Sequence, residues 1–313
     1  MSYLLKKLYV TSPKQLATDQ RMNFQVSWLR TSHDELRLIR KQMYGRMQFR
    51  TIVQIEPPTF TIAPFEHIFL VGSCFADNIG KRFIEEKFNA IVNPYGVMYN
   101  PASILHTVER AKVNPQVAVF TLGTNHVYVF KETGEIVDNC QKRPQRLFRE
   151  EELSVDACAD YLSKAIECLQ KRNPAVHIIL TVSPIRYAKY GYHGSQLSKA
   201  TLLLAANQLT QRYPDAVTYF PAYEIVNDEL RDYRFYQEDM LHPSYQAVSY
   251  IWERFSETYL SDEAKKFIED WRPVKAALAH RPFDANSIAY QEFVRQTHER
   301  IQALEKKWGV SLE

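Results

Sequence analysis

A nucleophile and a base can be identified at two distant places in the chain. Ser73 and Cys74 come directly after Gly72, where a short apolar run ends. Asp239 lies three residues before His242. At that offset in a turn, a carboxylate can hold one ring nitrogen and leave the other free to take a proton. A nucleophile, a base and an orienting carboxylate are the set that runs acyl transfer, so these residues point to acyl-ester chemistry.

Both segments also have a plainer interpretation. A strand, a glycine turn and a helix form a common βα connection, in which small residues serve packing alone. An Asp-x-x-His pair can be an ordinary polar pair on the surface. At a helix N-terminus, however, unpaired backbone N–H groups favour a thiolate or an oxyanion on Ser73 or Cys74. Gly96 and Asn125 could offer further N–H donors to an oxyanion.

The elements that must position these residues follow from the hydrophobic pattern. Short apolar runs predict buried strands, and apolar residues at helical spacing predict helices between them. The predicted strands are 67–71, 117–122, 176–182 and 217–220, with an edge strand at 47–51, and the predicted helices lie near 75–83, 102–112, 155–171, 198–212 and 248–259. This alternation predicts a parallel sheet covered by helices on both faces, with ligands at the carboxyl ends of the strands.

Composition and charge narrow the class of protein. The chain has 313 residues, of which 45% are hydrophobic and 24% charged, which fits one globular domain with appendages or two small domains. Residues 1–46 carry nine Lys or Arg against three Asp or Glu, so the net charge of +3 comes from this segment. The remainder is slightly acidic, which argues against a nucleic-acid partner.

Other features predict a cytoplasmic protein without a cofactor. No run approaches the roughly 18 apolar residues of a membrane span, and no secretory signal is recognisable at the N-terminus. The four cysteines lack zinc spacing, so no metal site is predicted. Neither a GxGxxG nor a GxxxxGK[ST] motif is present, so the sequence does not support a nucleotide site.

Three segments are predicted along the chain. Residues 1–46 form a basic N-terminal extension, either disordered or an artefact of the assigned start; residues 47–260 form the catalytic domain; and residues 261–313 form a helical extension. A stripe in this extension comprises Tyr290, Val294, Thr297, Ile301, Leu304 and Trp308. It predicts a helix ended by Gly309 and covered by the helix around 263–271, across a connection at 273–282. A monomer is favoured, with a dimer through a coiled-coil seam as the alternative.

The string Gly72-Ser73-Cys74-Phe75-Ala76 resembles the signature of the GSCFA domain, a branch of the SGNH (GDSL-like) hydrolase superfamily. The resemblance covers roughly residues 47–260. Further matching strings are 93–96 (NPYG), 139–140 (NC), 181–186 (TVSPIR), 198–200 (SKA), 231–236 (RDYRFY) and 239–244 (DMLHPS). The resemblance implies a flavodoxin-like three-layer αβα sandwich with about five parallel strands. It also implies hydrolysis or transfer of acyl esters without a metal.

The resemblance also matches individual residues of this sequence to the motif blocks of the superfamily. Asn125 falls in the superfamily's G-x-N block, Asp239 and His242 form its D-x-x-H block, and Gly96 is matched to its glycine block. The first block departs from the Gly-Asp-Ser pattern. With the glycines aligned, Cys74 is the nucleophile; with the serines aligned, Ser73 is. Two histidines associated with the domain are replaced by Tyr187 and Gln141 in this chain.

Polar residues near the same edge could bind the substrate. Arg186, Arg231 and Arg234 could grip an anionic or sugar-like group, and His126 could line the cleft. The arginines could equally form ion pairs with Glu224, Glu229 or Asp232.

These observations predict an acyl esterase or O-acyltransferase that forms a covalent acyl-enzyme, with a small-molecule or carbohydrate acyl ester as substrate. The alternative is a non-catalytic module that binds a carbohydrate or an acyl group on the same fold.

Overall fold

The computed structural model describes residues 50–312, and its helices and strands belong to the compact unit that begins at Ile52. The predictions for residues 1–46 lie outside the described residues. The edge strand predicted at 47–51 lies mostly outside them as well, and Arg50 and Thr51 are not in a strand.

A five-stranded parallel sheet lies at the centre of the fold. In chain order the strands are β1 (His67–Gly72), β2 (Asn89–Val92), β3 (Val117–Leu122), β4 (His126–Phe130), β5 (Ile136–Val137), β6 (Phe148–Glu152), β7 (His177–Val182) and β8 (Val217–Tyr219). The central sheet has the order β2-β1-β3-β7-β8, and all of its neighbouring pairs are parallel. The α/β prediction is therefore confirmed, and the carboxyl ends of β1, β3 and β7 lie side by side at one edge.

Helices cover both faces of this sheet. They are α1 (Cys74–Glu85), α2 (Pro101–Arg110), α3 (Val155–Arg172), α4 (Gly191–Arg212), α5 (Tyr245–Tyr259), α6 (Asp262–Leu278) and α7 (Ile288–Trp308). One hydrophobic core lies between the sheet and α2, α3 and α4, and a second lies between the other face and α1 and α5. The result is a three-layer αβα sandwich with a helical C-terminal region. In the part of the chain that the structure describes, no helix has the length and apolar character needed to cross a membrane.

The apolar runs in the sequence predict β1, β3 and β7 correctly because these strands are buried on both faces. In β3 every residue is buried, and in β7 all but the first are. Strand β2 was not predicted, because it lies at the edge of the sheet and alternates between exposed and half-buried residues. Its four residues pair with β1 over the register from His67 with Asn89 to Leu70 with Val92.

A small antiparallel sheet with the order β5-β4-β6 is inserted between β3 and α3. It begins at His126, three residues after Gly123, so it continues directly from the carboxyl end of β3. This sheet places His126 and its neighbours beside the ligand-binding edge.

The C-terminal helices depart from prediction at Pro273. Helix α6 continues through this proline to Leu278, so the predicted connection at 273–282 is wrong. Burial of Trp271 and Val274 on either side of Pro273 stabilises the helix despite the lost N–H donor. Helix α7 ends at Gly309, which has a φ of 66°. Ile301, Leu304 and Trp308 pack against α6, so part of the stripe is covered within the chain.

Candidate active site

Gly72 forms a turn between β1 and α1 that no other residue could form without strain. Its φ is 144°, and a Cβ atom there would lie 2.2 Å from the carbonyl oxygen of Thr121. The Ser73 N–H donates to that same oxygen at 3.0 Å, and the Gly72 N–H donates to Asn93 Oδ1 at 2.9 Å. The turn is therefore pressed against β3, and glycine is required for this close approach.

Ser73 and Cys74 have different surroundings in this turn. Ser73 is fully buried, and its hydroxyl caps α1 by accepting from the Phe75 N–H at 3.2 Å. The same hydroxyl is hydrogen-bonded to Thr121 Oγ1 at 3.2 Å. Cys74 is the first residue of α1 and is partly exposed, so its thiol is the more accessible of the two candidate nucleophiles.

The Cys74 thiol lies beside two tyrosines that sequence analysis did not identify as site residues. Its Sγ is 3.9 Å from the Tyr99 hydroxyl, and the Tyr99 ring meets that of Tyr187 edge to face. Burial, followed by the proximity of Cys74, raises the pKa of Tyr99 to about 12. Burial likewise raises the pKa of Tyr187 well above its usual value. Both hydroxyls therefore stay protonated at neutral pH and can donate hydrogen bonds.

Asp239 and His242 form the predicted pair. His242 Nδ1 is 2.5 Å from Asp239 Oδ2, and Asp239 Oδ1 accepts from the backbone N–H groups of Leu241 and His242. These N–H groups, with the His242 ring, lower the pKa of Asp239 to about 2. The carboxylate is therefore charged at neutral pH and directs the His242 ring so that Nε2 faces away from it.

The Asp239–His242 loop is attached to the end of β7 by Arg186. The Arg186 N–H donates to the Leu241 carbonyl at 3.1 Å, and its guanidinium donates to the Met240 carbonyl. The guanidinium also lies over the rings of Tyr192 and Tyr236, at 5.0 and 4.3 Å from their centroids. This attachment places the histidine loop near the carboxyl end of β7, two strands away from the carboxyl end of β1, where Cys74 follows.

The two predicted oxyanion donors differ in availability. The Gly96 N–H donates to the Asn93 carbonyl at 2.8 Å and closes a surface turn, so the structure does not support Gly96 as a donor. Asn125 is buried, and one N–H of its side-chain amide donates to the Leu153 carbonyl at 2.8 Å. Its Oδ1 is buried without a hydrogen-bond partner within residues 50–312. The second amide N–H of Asn125 is the donor that remains.

The other two arginines have different surroundings. Arg234 lies 3.7 Å from Asp232, so for this residue the ion-pair interpretation holds. Arg231 is exposed and ends a helical segment with a left-handed φ of 46°. Glu229 pairs with Arg254, and Glu224 accepts from the Tyr219 hydroxyl, so neither pairs with a predicted arginine in the described residues. Arg186 is the arginine most closely tied to the site.

A cleft of about 680 Å³ opens between the Tyr99 side of the site and the small sheet. His126 lines it and stacks on Tyr190, with ring centroids 3.6 Å apart. Burial lowers the pKa of His126, so this ring is neutral at pH 7. Lys189 crosses the cleft to pair with Glu150. The lining is predominantly aromatic and polar, and includes Tyr99, Asn100, Thr124, Tyr128, Asn139, Gln145 and Tyr187.

Lys199 is the second feature of the site that sequence analysis did not interpret. It lies on α4, is fully buried, and donates to the Gly123 carbonyl at 2.7 Å. Burial lowers the pKa of its amine to about 7. A lysine inside a helix gives no sequence signal for burial, beyond its place in the 198–200 string. Within residues 50–312, no group of three His, Cys, Asp or Glu side chains could hold a metal ion.

Comparison with solved structures finds matches of low similarity. An acetylxylan esterase from Geobacillus stearothermophilus aligns with a TM-score of 0.43 and 12% identity, over 64% of this chain and 96% of its own. A GDSL-like lipase from Bacteroides thetaiotaomicron aligns with a TM-score of 0.41 and 12% identity, over 61% and 86%. A search of curated proteins finds no match.

Comparison with protein families gives extended matches. The model of the GSCFA family matches residues 67–117 and 110–255. The model of the C-terminal domain of GSCFA domain proteins matches residues 271–313. Because these matches extend over more than half of the chain, the protein belongs to the GSCFA family.

Proposed function

We propose that this protein hydrolyses or transfers acyl esters through a covalent acyl-enzyme on Cys74. The observation that carries the proposal is the Asp239–His242 pair, held by Arg186 at the sheet edge where Cys74 begins α1. A nucleophile, a base and its orienting carboxylate at one edge are the minimum that acyl transfer needs.

The chemical steps follow from these roles. The Cys74 sulfur attacks the acyl carbonyl while His242 Nε2 takes the thiol proton. The imidazolium passes that proton to the departing alcohol, which leaves a thioester on Cys74. Water or an acceptor alcohol then attacks the thioester and gives its proton to His242, and the thiol recovers this proton as it departs. The Asp239 carboxylate stabilises the imidazolium in both halves of the reaction.

Two donors support an oxyanion at this place. The Cys74 N–H is in the first turn of α1, where helical geometry supplies no acceptor, and the helix dipole favours negative charge. The second proposed donor is the side-chain amide of Asn125, whose nitrogen also donates to the Leu153 carbonyl at 2.8 Å. Gly96 has no part in this arrangement, because its N–H closes its own turn.

Cys74 is preferred to Ser73 because of what each side chain already does. The Ser73 hydroxyl caps α1 and contacts Thr121, so using it as a nucleophile would sacrifice both interactions. Among residues 50–312, the hydrogen bond of the Cys74 thiol is a long one, to the Tyr99 hydroxyl, and the residue is partly exposed.

An acylated carbohydrate is the proposed substrate class. The cleft beside Tyr99 presents aromatic faces and amide groups, which suit sugar rings and their hydroxyls. His126 belongs to one aromatic wall, and Arg186, Arg231 and Arg234 lie on the loops of the His242 side.

The test uses turnover of p-nitrophenyl acetate and labelling by iodoacetamide. Cys74→Ala should abolish turnover and remove the reactive thiol, whereas Ser73→Ala should retain a measurable rate. Cys140→Ala is the matched control, because that thiol is also partly exposed and lies on the cleft. Loss of turnover in Ser73→Ala with retention in Cys74→Ala would assign the nucleophile to Ser73.

One observation favours a binding module as the second candidate function. Within residues 50–312, the Cys74 thiol is hydrogen-bonded to Tyr99 and not to His242. Catalytic hydrogen bonds often form only when substrate is bound, so the catalytic proposal requires His242 to approach Cys74 on binding, whereas a binding module does not. Saturable binding of an acetylated oligosaccharide by the unmutated protein, with no turnover of any acyl ester, would select the binding module.

A further inference from the structure

Lys199 is a buried amine without a carboxylate partner in the described residues. Its side chain is 2% exposed, and its amine donates to the Gly123 carbonyl at 2.7 Å. The Tyr187 ring covers the amine, with its centroid 5.1 Å away. Lysine is rarely buried without a counter-ion, because transferring its charge out of water is costly. A residue kept there despite this cost calls for a specific role.

The group that Lys199 holds is the turn between β3 and β4. In the Gly123–Thr124 peptide, the carbonyl accepts a hydrogen bond from the Lys199 amine. The N–H of the same peptide donates to the Tyr99 carbonyl at 2.7 Å. The next N–H, that of Asn125, donates to the Ser198 hydroxyl at 3.0 Å. Two adjacent side chains of α4 thus bind two adjacent peptide groups of the turn.

This turn has no free space in which to shift. A Cβ atom on Gly123 would lie 2.5 Å from the Tyr187 hydroxyl, 2.7 Å from the Tyr99 carbonyl and 3.3 Å from Ser73 Cβ. Gly123 is therefore packed closely against the two tyrosines and the Ser73 turn. Lys199 supplies the side-chain hydrogen bond to this turn, alongside the Gly123 and Thr124 N–H groups, which donate to the Tyr99 carbonyl at 3.0 and 2.7 Å.

We propose that Lys199 is a positioning residue: its amine holds the Gly123 carbonyl and thereby orients the Asn125 side-chain amide toward the reacting group at Cys74. The catalytic part of this inference rests on the proposed function, whereas its structural part does not. Lys199 itself contacts neither substrate nor nucleophile.

The first experiment is hydrogen exchange on Lys199→Met, a variant that keeps the length and volume of the side chain and removes the donor. The amides of Thr124 and Asn125 should exchange about tenfold faster, with little change in the rest of β3 and α4. Lys171→Met is the matched control, because Lys171 is an exposed lysine on α3. Unchanged exchange at Thr124 and Asn125 would overturn the proposal.

The second experiment measures turnover of p-nitrophenyl acetate by the same variants. Lys199→Met should lower kcat about tenfold or more with KM nearly unchanged, because the Asn125 amide acts on the transition state. If the unmutated protein has no turnover, the proposed function fails while the exchange result still decides the positioning role.

A second variant distinguishes a positioning role from a folding defect. Lys199→Gln retains a shorter donor and should give intermediate exchange and intermediate kcat. If instead both variants unfold at lower urea and exchange faster across all of α4 and β3, Lys199 is a structural residue only, and the proposal is wrong.

Discussion

The turn that carries Cys74 is pressed into the protein, whereas the loop that carries His242 lies on its surface. Around Gly72, backbone and side-chain groups from β1, β3 and the segment after β2 are hydrogen-bonded to one another. The Asp239 and His242 side chains are 42% and 36% exposed, and the loop is attached mainly through Arg186.

This difference indicates a division of roles between the two sides of the site. The nucleophile side is preorganised by packing, so substrate binding need not rearrange it. The side of His242, the proposed base, is exposed, and under the proposed function we expect its distance to Cys74 to adjust when a substrate fills the site. Apart from the proposed nucleophile itself, mutations on the first side should therefore affect mainly stability, and mutations on the second side mainly activity.

The largest effect is expected on the exposed side. His242→Ala should lower kcat for p-nitrophenyl acetate by about 10³-fold or more, because it removes the general base, with no marked change in urea stability. His298→Ala on α7 is the control, since His298 is exposed and its hydrogen bond within residues 50–312 is to the Val294 carbonyl of its own helix. A large stability loss in His242→Ala would contradict the proposed division.

On the buried side, Gly72→Ala should cost about 3 kcal/mol of unfolding free energy, from its positive φ and the overlap with Thr121. Gly134→Ala is a matched control, because Gly134 also has a positive φ, of 74°, but nothing lies within 4 Å of its Cβ position. Urea denaturation measures both. Equal losses would mean that φ alone, and not the contact with β3, determines the effect.

The two sides should also differ in their pH dependence. The pKa of Lys199 is about 7 in the fold against an ordinary 10.5, so the unfolded chain binds about one more proton between these values. The free energy of unfolding should then rise from pH 7 to 10 by up to about 1.4 kcal/mol per pH unit. Lys199→Met should lack this rise in urea titrations. The same slope in the variant would show that another group is responsible.

For the exposed Asp239, the effect of pH on stability is expected at acidic pH. Its pKa of about 2 is below the ordinary 3.8, so its contribution to stability is present above pH 4 and is lost as the pH falls toward 2. Asp239→Asn should therefore match the unmutated protein in urea midpoint near pH 2 and differ from it most above pH 4. A difference that persists unchanged at pH 2 would contradict this assignment.

The smallest effect is expected at the attachment between the sides. Arg186→Met should lower kcat/KM about tenfold, equivalent to about 1.4 kcal/mol, because the Met240 carbonyl loses its donor and the loop its anchor. Arg234→Met is the control, since Arg234 pairs only locally with Asp232. Equal effects of the two variants would show that Arg186 does not position His242.

Several features were determined by the sequence itself. Strands β1, β3 and β7 are buried on both faces, so their apolar runs are visible without any knowledge of neighbours. The Asp239–His242 contact spans three residues, which makes it a property of one turn. The resemblance to the GSCFA family, carried by the string at 72–76, is confirmed by the family models that match the chain.

Other features were decided only by tertiary structure, because they depend on residues far apart in the chain. The Gly96 N–H is used by a local turn whose shape the sequence does not specify. Helix α6 passes through Pro273 because the burial of Trp271 outweighs one lost hydrogen bond. Lys199 is buried because it reaches a carbonyl 76 residues away, and separations of that length leave no periodic pattern in a sequence.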